Sequence, residues 1–211
     1  MPVAKTNSEL ASKVRSMLAD SIAVKQRLME NDTENIVRMA ELIAEAIQRG
    51  NKLLLCGNGG SAADAQHLAA ELLVRLRPEV DRAGIAALAL ATDTSSLTAC
   101  GNDYSFEEYY ERLVTALGVA GDVLIGITTS GRSQNIIRAL RAARANQITA
   151  LGLLGGDGGA ALAECDLALV VPSQTTGRIQ EAHITVGHAL MELVEDLLLD
   201  NGFLTSGREN K

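Results

Sequence analysis

His67 and Glu71 stand four residues apart in the segment HLAAE, inside a stretch of helical apolar spacing. That interval sets both side chains on one helix face, one turn apart. An imidazole beside a carboxylate can hold a divalent cation, or it can move protons as an acid and a base. The same pair is also a common surface ion pair. Near the other end of the chain, Gln180 and His188 lie two helical turns apart and roughly 80° around the axis, so both can face one cleft. Two histidines, a glutamate and a glutamine suit zinc by ligand type. They suit an acid–base pair equally, and spacing does not choose between the two. The third histidine, His183, is turned well away from His188 on the same helix and reads as a packing or surface residue.

Two loops have the composition to receive an anion. Thr128-Thr129-Ser130-Gly131-Arg132-Ser133 places four hydroxyls between an apolar run and a helical pattern. One hydroxyl is enough to cap a helix. Four beside free amide donors and a favourable helix dipole suit a phosphate monoester. Gly57-Asn58-Gly59-Gly60-Ser61-Ala62 also follows an apolar run and satisfies GxGxxA, a weak sign of a dinucleotide site on its own. The carboxylate that such a site needs about 20 residues further on has only Asp93 as a candidate, beyond a second strand.

The elements that must position these groups follow from periodicity. Glu9 to about Gln48 has helical spacing with a break near Asn31-Asp32-Thr33, where Asp32 or Thr33 suits an N-cap and Gly50 a stop. Short apolar runs at Leu53–Cys56, Ile85–Leu90, Val123–Ile127, Ile148–Leu154 and Leu167–Val171 read as five strands. Helices are predicted from Ser61 to about Leu76, Ser133 to about Asn146, and Arg178 to Leu199, with a polar turn at Thr92–Ser95. Buried strands alternating with helices mean a parallel sheet covered on both faces. The expected fold is α/β, a doubly wound five-stranded parallel sheet of flavodoxin-like order near 2-1-3-4-5, with two extra N-terminal helices. Residues 1–50 form a helical layer for packing against another subunit, 51–202 the α/β domain and 203–211 a polar, frayed tail. Ligands of such sheets bind beyond the strands' carboxyl ends, where both loops fall.

Composition narrows the partners. The 211 residues carry 19 basic and 26 acidic side chains, a net charge of −7, with 2% aromatics and no Trp. An acidic chain without stacking platforms argues against nucleic acid. Cys56, Cys100 and Cys165 form no CxxC pair, which argues against a disulfide framework and fits a reducing, cytoplasmic setting. No run reaches membrane-spanning length.

Four ordered segments, CGNGGSAADAQHLAAEL (Cys56 to Leu72), TDTSSLTACGNDY (Thr92 to Tyr104), GDVLIGITTSGRS (Gly121 to Ser133) and GRIQEAHITVGHALMELVE (Gly177 to Glu195), resemble the phosphoheptose isomerases of the sugar isomerase (SIS) domain proteins. The resemblance implies conversion of sedoheptulose 7-phosphate to D-glycero-D-manno-heptose 7-phosphate, the first step toward nucleotide-activated heptose for lipopolysaccharide or surface glycan. It implies a cytoplasmic homotetramer with sites at subunit interfaces. Carried over by motif, Asn58, Gly59, Gly60, Ser61, Asn102 and Asp103 line the sugar-phosphate pocket, and Thr128, Thr129, Ser130 and Ser133 hold the phosphate. His67, Glu71, Gln180 and His188 match zinc ligands, with Glu71 and His188 also the acid–base pair and Gln180 a substrate contact. The chain departs from the family pattern at Gly177, where some members carry an acid, and at Arg132, where Asn is frequent.

The main rival is a replication-initiator-binding scaffold of the same fold, which resembles the family but lacks counterparts of Glu71 and His188. A sugar-phosphate-sensing module would need an attached effector domain, and a nicotinamide dehydrogenase rests on the GxGxxA match alone.

Overall fold

The computed structural model describes residues 6–205 and residue 207. Two helices open the chain, α1 (Asn7–Asn31) and α2 (Thr33–Gln48). A capping box starts α1: Thr6 Oγ1 accepts from the Glu9 amide at 3.3 Å, and the Glu9 carboxylate accepts from the Thr6 amide at 2.7 Å. The break falls at Asp32, which occupies the N-cap position of α2 without forming a side-chain cap bond.

Five strands follow, β1 (Leu53–Gly57), β2 (Ala87–Ala89), β3 (Val123–Thr128), β4 (Thr149–Gly155) and β5 (Leu167–Val171). All pairs are parallel and the order is β2-β1-β3-β4-β5, as expected from the sequence. Alternate residues of β1 serve opposite faces. Leu53 and Leu55 join a core with α1, α2, α3 (Gly60–Leu73) and α7 (Thr176–Asp200). Leu54 and Cys56 join a second core with α5 (Tyr109–Leu117) and α6 (Gln134–Ala145). The direction of winding reverses between β1 and β3, and Gly57 pairs with Ile127 across that point. The loops after these two strands therefore flank one crevice.

The structure corrects several sequence boundaries. Helix α3 ends at Leu73 instead of Leu76 because its last carbonyls are claimed from outside the helix. The Ile85 amide donates to Leu72 O at 3.0 Å, and the Arg82 guanidinium donates to Glu71 O at 2.8 Å and Leu72 O at 2.9 Å. Strand β2 is short because only Ala87–Ala89 pairs with β1. The polar stretch after β2, expected as a turn at Thr92–Ser95, instead starts α4 (Thr94–Asp103) at Thr94. Helix α5 was also missed. Leu204, assigned to a frayed tail, is buried in the first core, while residues 206 and 208–211 of that tail lie outside the described residues.

Candidate functional site

Helices α3 and α7 cross closely enough to bring the two histidine segments together. At Gly187 an added Cβ would lie 2.6 Å from Leu68 Cδ1, so a side chain there would push the helices apart. At Gly60, the first residue of α3, an added Cβ would lie 2.7 Å from Gln180 Nε2. The lower end of α3 is tied as well. Arg82, which holds the Glu71 and Leu72 carbonyls, pairs with Glu195 of α7, and Glu195 is fully buried.

These contacts set the central geometry. His67 Nε2 and His188 Nε2 are 2.8 Å apart with the rings edge to face at 80°. One ring donates a proton to the other, since two bare lone pairs at that distance would repel. His67 Nε2 lies 3.3 Å from Glu71 Oε1, and the Glu71 side chain is 15% exposed. One donor atom from each of His67, Glu71 and His188 falls within 4.8 Å of the other two. Asp64, one turn before His67, keeps Oδ2 buried without a hydrogen-bond partner. Burial pushes the Asp64 carboxyl up, against the pull of His67 and His188.

The donor set fits a divalent cation. A tetrahedral zinc with ligands at about 2.0–2.1 Å spaces its donors roughly 3.3 Å apart. The His67–Glu71 separation of 3.3 Å already meets that spacing. The imidazoles at 2.8 Å need to open by roughly half an ångström. Gln180, laid against Gly60 at the head of α3, borders the same crevice.

The hydroxyl loop after β3 lies across the crevice. Ser133 holds the N-cap position of α6 but makes no side-chain cap bond. Its hydroxyl pairs with Thr128 Oγ1 at 3.3 Å instead. Capping therefore does not account for the cluster, and the start of α6 keeps its dipole available to an anion. Ser130 is exposed, Thr129 half-buried and Thr128 buried. Arg132 is bound on both sides, donating to Ser130 O at 2.9 Å and to Asp157 Oδ2 at 2.7 Å.

The remaining sequence candidates are placed as follows. Gly59 and Gly60 are exposed at the start of α3, and Ser61 is buried. The Asn58 side chain is turned to Asn135, with which it shares two hydrogen bonds of 2.8 Å. Asn102 and Asp103 end α4, exposed and bonded to each other at 2.8 Å. His183 is a packing residue, 1% exposed, with Nε2 on Leu154 O at 2.9 Å. Asp93 caps α4, accepting from the Ser95 amide at 2.9 Å and from the Ser96 hydroxyl. It is thereby occupied as a cap, which leaves the dinucleotide reading without its carboxylate. Sequence reasoning missed Asn135, Asp64, Gly187 and Arg82. Only Gly187 carried a signal, a glycine inside a helical pattern.

Comparison with known proteins agrees with this fold. The SIS domain profile matches residues 17–155. A phosphoheptose isomerase of Chlorobaculum tepidum is 51% identical over 179 residues, covering 84% of this chain and 86% of the relative. One from Aquifex aeolicus is 49% identical over 191 residues, covering 90% and 99%. The solved structure of a phosphoheptose isomerase from Neisseria gonorrhoeae superposes with a TM-score of 0.83 at 44% identity, covering 89% of this chain and 99% of that one.

Proposed function

From the premise that this chain belongs to the phosphoheptose isomerases of the SIS-domain family, we propose that it interconverts D-sedoheptulose 7-phosphate and D-glycero-D-manno-heptose 7-phosphate through a cis-enediol, at Glu71 and His188. The observation that carries the assignment of residues is the meeting of His67, Glu71 and His188 within 4.8 Å, beside a loop whose hydroxyls are not spent on capping α6.

The reaction needs a proton removed from C1 of the ketose and one delivered to C2. Glu71, half-buried on α3, takes the C1 proton as a carboxylate. His188, bonded through Nε2 to His67, moves protons at the substrate oxygens and C2, and His67 fixes which tautomer it presents. Thr128, Thr129, Ser130 and Ser133 with the N-terminus of α6 hold the phosphate. Gly59, Gly60 and Ser61 bring the amides of α3 to the sugar, and Asn102 and Asp103 border the pocket. His67, Glu71, Gln180 and His188 would hold zinc, which when bound would supply a Lewis acid for the carbonyl oxygen; Glu71 and His188 act as base and acid only while they are not its ligands.

Helix α1 leaves Leu10, Val14, Met17, Leu18, Ile22 and Met29 exposed. An apolar row of this length on one helix supports self-association, and we read residues 1–50 as the layer that builds a homotetramer. Among the described residues no helix is long and apolar enough to cross a membrane, in keeping with a cytoplasmic enzyme at the head of a route to nucleotide-activated heptose. The initiator-binding scaffold is not supported: the chain assembles the Glu71–His188 pair that such a scaffold lacks, and its relatives are named as isomerases.

The test is to incubate the pure protein with sedoheptulose 7-phosphate and follow aldose formation by NMR, with added zinc and with chelator. Aldose formation is expected, and its loss with chelator would place the cation in the reaction. No conversion by folded, zinc-supplied protein would refute the proposal.

A further inference from the structure

We propose that Asn135 is a positioning residue of this site: its amide clasps that of Asn58 and so holds the phosphate-binding start of α6 in register with the start of α3. The inference rests on the functional reading above, because it needs one substrate that reaches both helices.

Asn135 is the second residue of α6 and is 2% exposed. Its Nδ2 donates to Asn58 Oδ1 at 2.8 Å, and Asn58 Nδ2 donates back to Asn135 Oδ1 at 2.8 Å. Asn135 Oδ1 also accepts from the Ile136 amide at 3.0 Å. Two primary amides set head to tail exchange bonds in this way because each presents a donor beside an acceptor. A polar residue buried at a helix start could satisfy itself on nearby backbone. Here the bond instead reaches a loop 77 positions away in sequence. The residue before Asn58 is fixed separately, since the Tyr110 hydroxyl, buried in the second core, donates to Gly57 O.

Two consequences follow. The clasp takes one Nδ2 hydrogen and one Oδ1 lone pair of Asn58, and so fixes the direction in which the rest of its amide can meet the sugar. The crevice also gains a cross-brace between its two walls. Phosphate is held at the start of α6, while the reacting carbons must meet Glu71 and His188 on α3 and α7. Their separation is set by the substrate's own length, so a shift of one wall misplaces the carbons even when phosphate still binds. Misplacement of about 1 Å costs on the order of a hundredfold in rate.

Replacing Asn135→Ser removes both bonds to Asn58 and leaves the hydroxyl loop intact. The expected result is a kcat lowered about ten- to a hundredfold. Competitive inhibition by inorganic phosphate, which engages the α6 wall alone, should stay within about twofold. Asn58→Ser breaks the same clasp from the other wall and should give the same pattern, and the double variant should lose little more. That cycle keeps the test decisive if one variant folds poorly, as thermal denaturation would reveal. Unchanged kcat, or a phosphate inhibition constant that rises in step with the loss of kcat, would overturn the proposal. Absence of turnover in the unaltered protein would instead overturn the functional reading, and this inference with it.

Discussion

Protonation of His183 should destabilise this protein as the pH falls below about 6.5. The ring is 1% exposed, and Nε2 donates its hydrogen to Leu154 O at 2.9 Å. Nδ1 is buried with no partner, so a second proton would create an unpaired charged donor between α7 and the sheet. Burial holds the His183 pKa down to about 4, against an ordinary 6.5. The folded protein therefore binds fewer protons than the unfolded chain between these values. Its stability is full above pH 6.5 and is lost as pH falls toward 4. At about 1.36 kcal/mol per pKa unit, the whole shift corresponds to roughly 3 kcal/mol, of which about 2 kcal/mol is gone by pH 5. Urea denaturation of the wild type and of His183→Gln at several pH values from 7.5 to 4.5 measures the effect. Gln can still donate to Leu154 O but does not titrate, so the stability gap between the two should narrow by about 2 kcal/mol from pH 7.5 to pH 5. A gap independent of pH would refute the reasoning, whatever the stability of the variant at neutral pH.

Two further outcomes are expected. Glu71→Gln keeps the shape of the side chain but removes the base, and should lower kcat by about 10² to 10⁴ with KM little changed; near-normal turnover by NMR would remove Glu71 from its role. Gly187→Ala gains about 1 kcal/mol of helix propensity but sets a methyl 2.6 Å from Leu68 Cδ1, an overpacking worth about 1–3 kcal/mol. Relieving that contact to an ordinary separation of about 3.5–4.0 Å moves the helices by about 1 Å. That should part His67 from His188 beyond the roughly half ångström of opening that zinc needs and weaken zinc binding about tenfold in a chelator competition; unchanged affinity would show that the helix approach does not set the ligand spacing.

Which parts of this molecule were legible in its sequence depends on the range of the physics involved. Runs such as Leu53–Cys56 and Val123–Ile127 are apolar on both faces, and their alternation with helical patterns marks a covered parallel sheet. They carried the fold, the order of the strands and the crevice. The i, i+4 spacing of His67 and Glu71 is likewise a local property of one helix. Helix α4 escaped because it buries little besides Cys100, so no apolar period marks it. The end of α3 escaped because Arg82 and Ile85, beyond the helix, decide it. Asn135 was invisible for the same reason: an Asn in the first turn of a helix is ordinarily a solvated or capping residue, and only its partner 77 positions away gives it another meaning.

The two walls of the crevice are built on different principles, and that difference organises the site. Glu71 and His188 sit on regular helices, locked by the Gly187–Leu68 contact and the buried Arg82–Glu195 pair. Proton transfer tolerates little displacement, and rigid elements hold such groups better than loops do. The proposed phosphate wall, in contrast, is the hydroxyl loop after β3 and the start of α6, which has no side-chain cap. An anion held by several donors and a dipole is forgiving of small shifts. A site divided in this way needs a link between its forgiving and its exacting half, and the paired amides of Asn58 and Asn135 are the bond that spans them. Changes at the α3–α7 contact should therefore act on the metal and the protons, and changes at the amide pair on the register of the substrate between the two walls.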